Sequence, residues 1–271
     1  MGKTLTNSLL ALLLVWNGAA VAAGPNVLLG ISEGVAEQVS FSDMQDKYRP
    51  LADFLGQSIK KKVTLEASQN LKSAAGNLAK GRYDLMYVRP ANLAAKAMRD
   101  NKYRLVAMAK GEFVAAFIVN KDSLLKKPED VLNKKIAMPE KGSLMANVGL
   151  ATLRDMGGTK QDLVRYAHYQ EAVNFMVEKN FADAGVVAPN LAKAWEKKGG
   201  RVLFLSRKMP FWCIIAGPGM SDADIAKLRD TLVGMESSPE GEKILQKIGV
   251  KGWVPGKQED YIEMLAWLGK K

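Results

Sequence analysis

The sequence is poor in the residues that build metal centres, disulfide scaffolds and most catalytic dyads. Its 271 residues include one cysteine and one histidine, and aromatic side chains make up 7% of the chain. A single cysteine cannot form an internal disulfide, so the stability of the fold depends on its hydrophobic core. The motifs of serine hydrolases, P-loop nucleotidases, zinc proteases and CxxC redox proteins are missing too. These absences argue against an enzyme and against a bound metal or other cofactor.

Long hydrophobic runs are confined to the N-terminus. Lys3 precedes an apolar stretch from Leu9 to Trp16, and a small-residue segment follows that ends at Ala23. This is the pattern of a secretory signal peptide. The apolar stretch is too short to cross a bilayer, which takes about 20 apolar residues. We therefore expect residues 1–23 to be a signal peptide that is cleaved near Ala23, and the mature protein to be exported and soluble.

Positive charge exceeds negative charge by 11. Such an excess admits a nucleic acid, an anionic surface or an anionic small molecule as a partner. The lysines are dispersed in pairs and triplets, such as 60–62 and 134–135, and they are not interleaved with stacking aromatics. We interpret them as solvated surface and expect no nucleic-acid partner.

Short apolar runs alternate with helical patterns along the chain, which predicts parallel sheets covered by helices. The predicted strands are 27–31, 63–67, 83–88, 105–109, 113–119, 135–138, 164–167, 182–187, 202–205 and 212–216. The predicted helices are 46–60, 70–80, 90–100, 143–156, 169–179 and 189–198, followed by a mostly helical end that a capping box opens at Ser221. In the first helix, Pro50 is expected to lie in the first turn, where proline is tolerated.

The alternation is interrupted near 113–120 and near 202–216, where apolar runs are long or closely spaced. If the chain crosses between two sheets at both places, residues 24–112 and 209–271 form one lobe and residues 113–208 form the other. Two lobes joined by two strands make a hinged clamp.

Three predicted strand-to-helix turns carry residues suited to an anion, because helix N-terminal amides point outward at such turns. Lys141, Gly142 and Ser143 open one helix, where the glycine allows close backbone approach and the serine can act as the cap. Arg89 ends another strand and either grips two oxygens of a ligand or forms a structural salt bridge. His168 leaves a third strand and either donates to an anion or lies on the surface.

Three segments resemble motifs of one protein family, and they occur in the same order and at the same spacing as in that family: Tyr48–Leu55, Leu78–Leu85 and Phe117–Ser123. With them, and with His168 where the family has a ligand-binding histidine, the chain resembles the periplasmic phosphonate-, phosphate- and phosphite-binding proteins of ABC importers over residues 27–250. The resemblance implies an α/β, two-lobed periplasmic binding protein of type II, with parallel-rich sheets covered by helices and two hinge crossovers. It also implies a periplasmic location, a small-molecule ligand and an ABC permease as partner. We expect a monomer.

The ligand positions of this sequence depart from the family pattern. Where the family has a phosphonate-binding Ser-Thr-Ser-Gly segment, this sequence has residues 141–144, which keep one hydroxyl and add a lysine. A loop tyrosine of the family is replaced by Asn70 or a neighbour, and a crossover aromatic aligns with Glu112 or Phe113. The resemblance thus extends the candidate site to these positions.

Two further departures concern the amine of the ligand. Binders of 2-aminoethylphosphonate place two carboxylates where this sequence has Pro189 and Trp212. Tyr87, Phe211 and Trp212 are expected to make that side of the cleft apolar, although the aromatics could equally serve packing. The sequence therefore predicts an organic anion, or an oxyanion with an apolar substituent, and not 2-aminoethylphosphonate.

The hypothesis that results is a binding protein that closes on a small anion and delivers it to an ABC permease. The alternative is a periplasmic sensor whose closure engages a membrane receptor kinase. In that role Cys213 beside the cleft would matter for a thiophilic ligand; otherwise it is a buried, inert thiol. An exported hydrolase is a weak third hypothesis, because the single histidine lacks a nucleophile.

Overall fold

The protein was analysed as a computed structural model, which describes residues 26–34, 40–68, 70–158 and 160–269. The predicted signal peptide, residues 1–23, lies outside this range. Within it, none of the helices combines the length and the apolar character that crossing a bilayer requires.

The described residues form eleven strands and nine α-helices. The strands are β1 (Val27–Ser32), β2 (Val63–Ala67), β3 (Leu85–Val88), β4 (Arg104–Ala109), β5 (Ala116–Val119), β6 (Ile136–Met138), β7 (Val164–Tyr166), β8 (Ala184–Val187), β9 (Arg201–Leu205), β10 (Cys213–Ala216) and β11 (Trp253–Val254). The helices are α1 (Phe41–Ile59), α2 (Leu71–Ala79), α3 (Ala91–Asn101), α4 (Leu144–Asp155), α5 (Gln170–Glu178), α6 (Pro189–Lys197), α7 (Asp222–Val233), α8 (Pro239–Ile248) and α9 (Gln258–Leu268). Each predicted strand overlaps an observed one. The sequence pattern missed β11, because two residues carry no periodic signal.

The strands form two sheets. One has six strands in the order β11-β4-β10-β3-β1-β2, and the other has five in the order β7-β6-β8-β5-β9. The chain passes from the first sheet to the second between β4 and β5, and returns between β9 and β10. We call the six-stranded sheet with α1–α3 and α7–α9 the first lobe, and the five-stranded sheet with α4–α6 the second lobe. The boundaries predicted at 113 and 208 fall inside the two crossovers.

Both sheets are more mixed than the alternation of strands and helices predicts. Strands β2, β1 and β3 are parallel, as are β7, β6 and β8. Strand β5 runs antiparallel to β8 and β9, and β10 runs antiparallel to β3 and β4. These two strands enter their sheets directly from the other lobe, without the crossover helix that a parallel connection needs.

Helix α1 begins earlier than predicted. The side chain of Ser40 accepts a hydrogen bond from the N–H of Asp43 and caps the helix at Phe41. Pro50 therefore lies in the helix interior and not in its first turn, which corrects the prediction. The expected apolar face is present, since Leu51 and Leu55 are fully buried against the first sheet.

The C-terminal helix α9 connects the lobes a third time. It packs on α3 of the first lobe and also contacts α4 of the second. The Nε1 atom of Trp267 donates to Oδ2 of Asp155 over 2.7 Å, and the carbonyl of Trp267 accepts from Nη1 of Arg154 over 3.1 Å. The guanidinium of Arg207, in the second crossover, lies 5.1 Å from the Trp267 ring centroid. One hydrophobic cluster includes α9 together with residues of both lobes.

We expect Trp267→Phe to lower the free energy of unfolding by about 1.5 kcal/mol more than Trp253→Phe, because only the first change removes a hydrogen bond to a carboxylate. Both indoles are buried. In the part of the chain that the structure describes, Trp253 Nε1 has no hydrogen-bond partner, which makes Trp253→Phe the matched control. Urea denaturation measures both values. Equal losses would show that the bond to Asp155 does not contribute to stability.

Candidate functional site

A cleft of about 520 Å³ opens between the lobes. Its first-lobe wall consists of Glu33, Gly34, Leu71, Arg89, Pro90, Gly249 and Lys251; the crossovers contribute residues 110–114, Phe211 and Trp212; the second-lobe wall consists of 143–145, Gln170 and 188–191. Most of these side chains are apolar. Such a lining, with few polar groups, is typical of a site for an organic ligand.

The second-lobe wall brings three helix N-termini together. Helices α4, α5 and α6 each follow one of the neighbouring parallel strands β6, β7 and β8, so they begin at the same sheet edge. Ser143 caps α4 by accepting the N–H of Ala146 over 3.2 Å. Gln170 opens α5, and its Oε1 accepts the N–H of Ala188, the cap residue of α6, over 2.7 Å. The wall therefore presents outward-facing amides, a serine hydroxyl and the remaining amide NH₂ of Gln170, which are donors suited to an anion.

The first-lobe wall is built around a buried carboxylate. Glu33 is 6% exposed and accepts hydrogen bonds from Lys47 Nζ (2.7 Å), from the hydroxyl of Tyr48 and from Nη1 of Arg89. Burial by itself would raise the pKa of Glu33, but the charge of Arg89 and the hydrogen bonds from all three donors outweigh it, so the pKa lies below its usual value. Glu33 is thus ionised at neutral pH and serves as the shared counter-charge of Lys47 and Arg89.

An aromatic stack continues this wall into the second crossover. The guanidinium carbon of Arg89 lies 3.8 Å from the Trp212 ring centroid. The rings of Trp212 and Phe211 are stacked with their centroids 4.2 Å apart. Two groups at these distances cannot share one face of the indole, so Trp212 is covered on both faces. A ligand can reach only the edge of this ring.

Four of the nine predicted site residues line the cleft: Arg89, Glu112, Ser143 and Trp212. Arg89 forms both the salt bridge that the sequence left as one alternative and a stacking contact. Glu112 is exposed and pairs with Lys208, with 2.8 Å between Oε2 and Nζ.

The other five predicted residues do not line the cleft. Lys141, Gly142 and His168 are exposed and lie outside the lining. The side chain of Asn70 accepts the N–H of Ser73 and caps α2, while the next residue reaches the cleft. Tyr87 is fully buried in the first-lobe core, because adjacent residues of β3 point to opposite faces of the sheet.

The sensor hypothesis places Cys213 beside the cleft. In the structure Cys213 is fully buried and is not among the lining residues. Burial raises the pKa of its thiol to about 12, so it carries no charge at neutral pH. The proposed contact with a thiophilic ligand therefore has no support in the geometry.

Sequence reasoning missed Glu33, Gln170 and Lys251. Glu33 directly follows β1, so the rule that identified Arg89 at a strand end could have found it. No local sequence signal marks Gln170, because its role depends on the hydrogen bond that it accepts from Ala188, 18 residues away. Lys251 lies between α8 and β11, where the sequence shows no strand-to-helix turn.

Comparison with known proteins shows clear similarity. The profile of a family described as the periplasmic substrate-binding protein of the phosphonate ABC transporter matches residues 34–261. Among solved structures, XAC2383 of Xanthomonas citri bound to ATP is 16% identical with a TM-score of 0.74, covering 90% of this chain and 96% of that one. PhnD1 of Prochlorococcus marinus in complex with methylphosphonate is 12% identical with a TM-score of 0.72, covering 89% and 96%. These similarities confirm the predicted two-lobed fold.

Glu33→Gln should lower the free energy of unfolding by about 3 kcal/mol at neutral pH, because it leaves the half-buried cations Lys47 and Arg89 without their counter-charge. Since the pKa of Glu33 is lowered in the folded state, its contribution is complete above the unfolded value of 4.5 and is lost as pH falls through the lower folded value. The difference between wild type and variant should therefore shrink only below about pH 4.5. Chemical denaturation from pH 3 to 8 measures it.

The matched control is Glu66→Gln, which removes the carboxylate that pairs with the exposed side chain of Arg82 and that also accepts a hydrogen bond from the Tyr83 hydroxyl. We expect this change to cost less than about 1 kcal/mol. Similar costs for the two variants would mean that burial of the Glu33 carboxylate has no special role.

Proposed function

The chain belongs to the family of periplasmic substrate-binding proteins of phosphonate ABC transporters, and from this premise we propose that it closes on a small organic anion and delivers it to a permease. Members of this family bind a small ligand and act with a transporter. The anionic character of the ligand is the part that goes beyond membership, and the donors at the second-lobe wall support it.

The convergence of α4, α5 and α6 on the cleft carries the proposal. Three N-termini with a serine hydroxyl and an amide NH₂ favour the oxygens of a phosphonate, sulfonate or carboxylate. The opposite wall and the crossovers are largely apolar, with Leu71, Phe113 and Phe211 among them. An anionic head with an apolar substituent matches both surfaces.

Two of the similar structures support a phosphorus-containing anion. The protein from Prochlorococcus marinus holds methylphosphonate, and the protein from Xanthomonas citri holds ATP. These ligands differ widely in size but share phosphorus bonded to anionic oxygens. For this chain we infer the same head-group chemistry, with the size of the substituent set by the lining of its own cleft.

Closure follows from the two-lobed architecture. A ligand shifts a protein toward the closed state only by binding that state more tightly than the open one. An anion held at the second-lobe wall gains contacts with the first lobe when the crossovers bend, and the permease then receives the closed form. We propose that the protein acts in this way as a monomer in the periplasm.

A thermal-shift screen of the mature protein tests the proposal. Phosphate, phosphite, methylphosphonate, phenylphosphonate, benzenesulfonate and benzoate are compared with neutral solutes of similar size. A ligand at about 100 times its dissociation constant stabilises the folded state by ~2.7 kcal/mol, so we expect a clear rise in Tm with one class of anion. Equal rises with the neutral solutes would contradict an anionic ligand.

Variants at the turns before α4 and α5 locate the anion. Ser143→Ala should weaken binding of the best anion by about 1.5–3 kcal/mol, the range for a hydrogen bond to a charged group. Lys141→Ala and His168→Ala are the matched controls, because both side chains are exposed and outside the cleft lining. Isothermal titration calorimetry measures all three. If Lys141→Ala and His168→Ala weaken binding and Ser143→Ala does not, the anion lies outside the cleft lining, near Lys141 and His168.

A comparison of ligands with and without an amine provides a further test. The carboxylates of the cleft lining are Glu33 and Glu112, and each is already paired with a cation. We therefore expect 2-aminoethylphosphonate to bind no more tightly than propylphosphonate, which has nearly the same size but no ammonium group. Calorimetric titration compares the two. A clear preference for the amine would require a carboxylate that becomes available to the ligand.

A further inference from the structure

The charged groups of the cleft lining are ion-paired, with a single exception among the residues that the structure describes. Four of the five have a partner of opposite charge: Arg89 pairs with Glu33, Lys110 with Glu236, and Glu112 with Lys208. The fifth is Lys251. Within the part of the chain that the structure describes, no carboxylate lies within 4 Å of its amine. Lys251 therefore offers a ligand an ammonium that no carboxylate of the described residues engages.

The backbone holds Lys251 in place on the first-lobe wall. Helix α8 is capped at its C-terminus by Gly249, whose φ of +70° is left-handed. The N–H of Lys110 donates to the carbonyl of Gly252 over 2.8 Å, which fixes the loop to the first crossover. A Cβ at Gly252 would lie 2.4 Å from the carboxyl carbon of Glu236, and the φ there is +142°. The loop thus requires glycine on one side of Lys251 and is anchored at the cleft.

The position of Lys251 complements the opposite wall. The helix N-termini and Ser143 belong to the second lobe, whereas Lys251 belongs to the first. Closure needs a ligand that contacts both lobes. The other first-lobe cation that lines the cleft, Arg89, is engaged by Glu33 and stacked on Trp212, which leaves the ammonium of Lys251 as the available one.

We propose that Lys251 binds the anionic group of the ligand from the first lobe and thereby determines specificity for organic anions. This inference rests on the proposed function, since it assumes that the anion is held at the second-lobe wall. It adds the residue that makes binding charge-selective and that couples binding to closure.

The test compares three variants with wild type by isothermal titration calorimetry, using phenylphosphonate, benzenesulfonate and benzoate as probes. Lys251→Met keeps the length of the side chain and removes its charge, and it should weaken the best-bound anion roughly 10- to 100-fold. Lys251→Arg keeps the charge and should stay within about threefold of wild type. Lys247→Met makes the same chemical change at an exposed position of α8 outside the cleft lining and should leave the affinity unchanged.

The outcomes separate this inference from the proposed function. If wild type binds an anion and Lys251→Met binds it as tightly as Lys247→Met does, the role of Lys251 is wrong and the proposed function stands. If wild type binds neither these three probes nor any other anion of the thermal-shift panel, both are overturned. A loss in Lys251→Met that Lys251→Arg restores, together with a weaker dependence on salt in Lys251→Met, supports the inference.

Discussion

The carboxylate of Glu33 joins the core of the first lobe to the surface of the cleft. It lies at the end of β1. It accepts a hydrogen bond from the hydroxyl of Tyr48 in the core helix α1, and another from the guanidinium of Arg89 on the cleft side. Because a buried carboxylate is costly without counter-charges, none of these groups can move independently. The indole of Trp212 in turn rests on Arg89, so the order of the second crossover depends on the same carboxylate.

The two lobes use one structural principle with different chemistry. Each places the carboxyl ends of three neighbouring parallel strands at the cleft. In the second lobe these ends lead into helices whose first amides and caps remain available. In the first lobe the corresponding end of β1 carries the carboxylate of Glu33, which is paired with both Lys47 and Arg89. One wall therefore supplies donors, and the other supplies a largely apolar surface on which Lys251 is the cation without a carboxylate partner among the described residues. A ligand with an anionic head and an apolar body satisfies both.

Sequence reasoning predicted the succession of strands along the chain and the two crossovers. Both are local signals: apolar periodicity marks a strand, and the lack of a helical pattern between two apolar runs marks a crossover. The rule that ligands bind beyond strand ends identified Arg89 and Ser143, and the family resemblance identified Glu112 and Trp212. Tyr87 failed that rule, since a shift of one residue along β3 turns a side chain from one face of the sheet to the other. Lys141 stands two residues before Ser143 but is exposed outside the lining. Lys251 had no local signal at all, because only the tertiary fold brings the loop after α8 to the cleft.

Helix α9 gives the molecule an optical property as well as a mechanical one. Trp267 belongs to a first-lobe helix, yet its indole is bonded to Asp155 of the second lobe and lies near the guanidinium of Arg207. A rotation of the lobes that moves α9 relative to α4 changes the polarity and the charge around this ring. Trp267 does not line the cleft, so the change does not need contact with the ligand. The intrinsic fluorescence of the protein thus contains a reporter of interlobe angle that is separate from any quenching at Trp212.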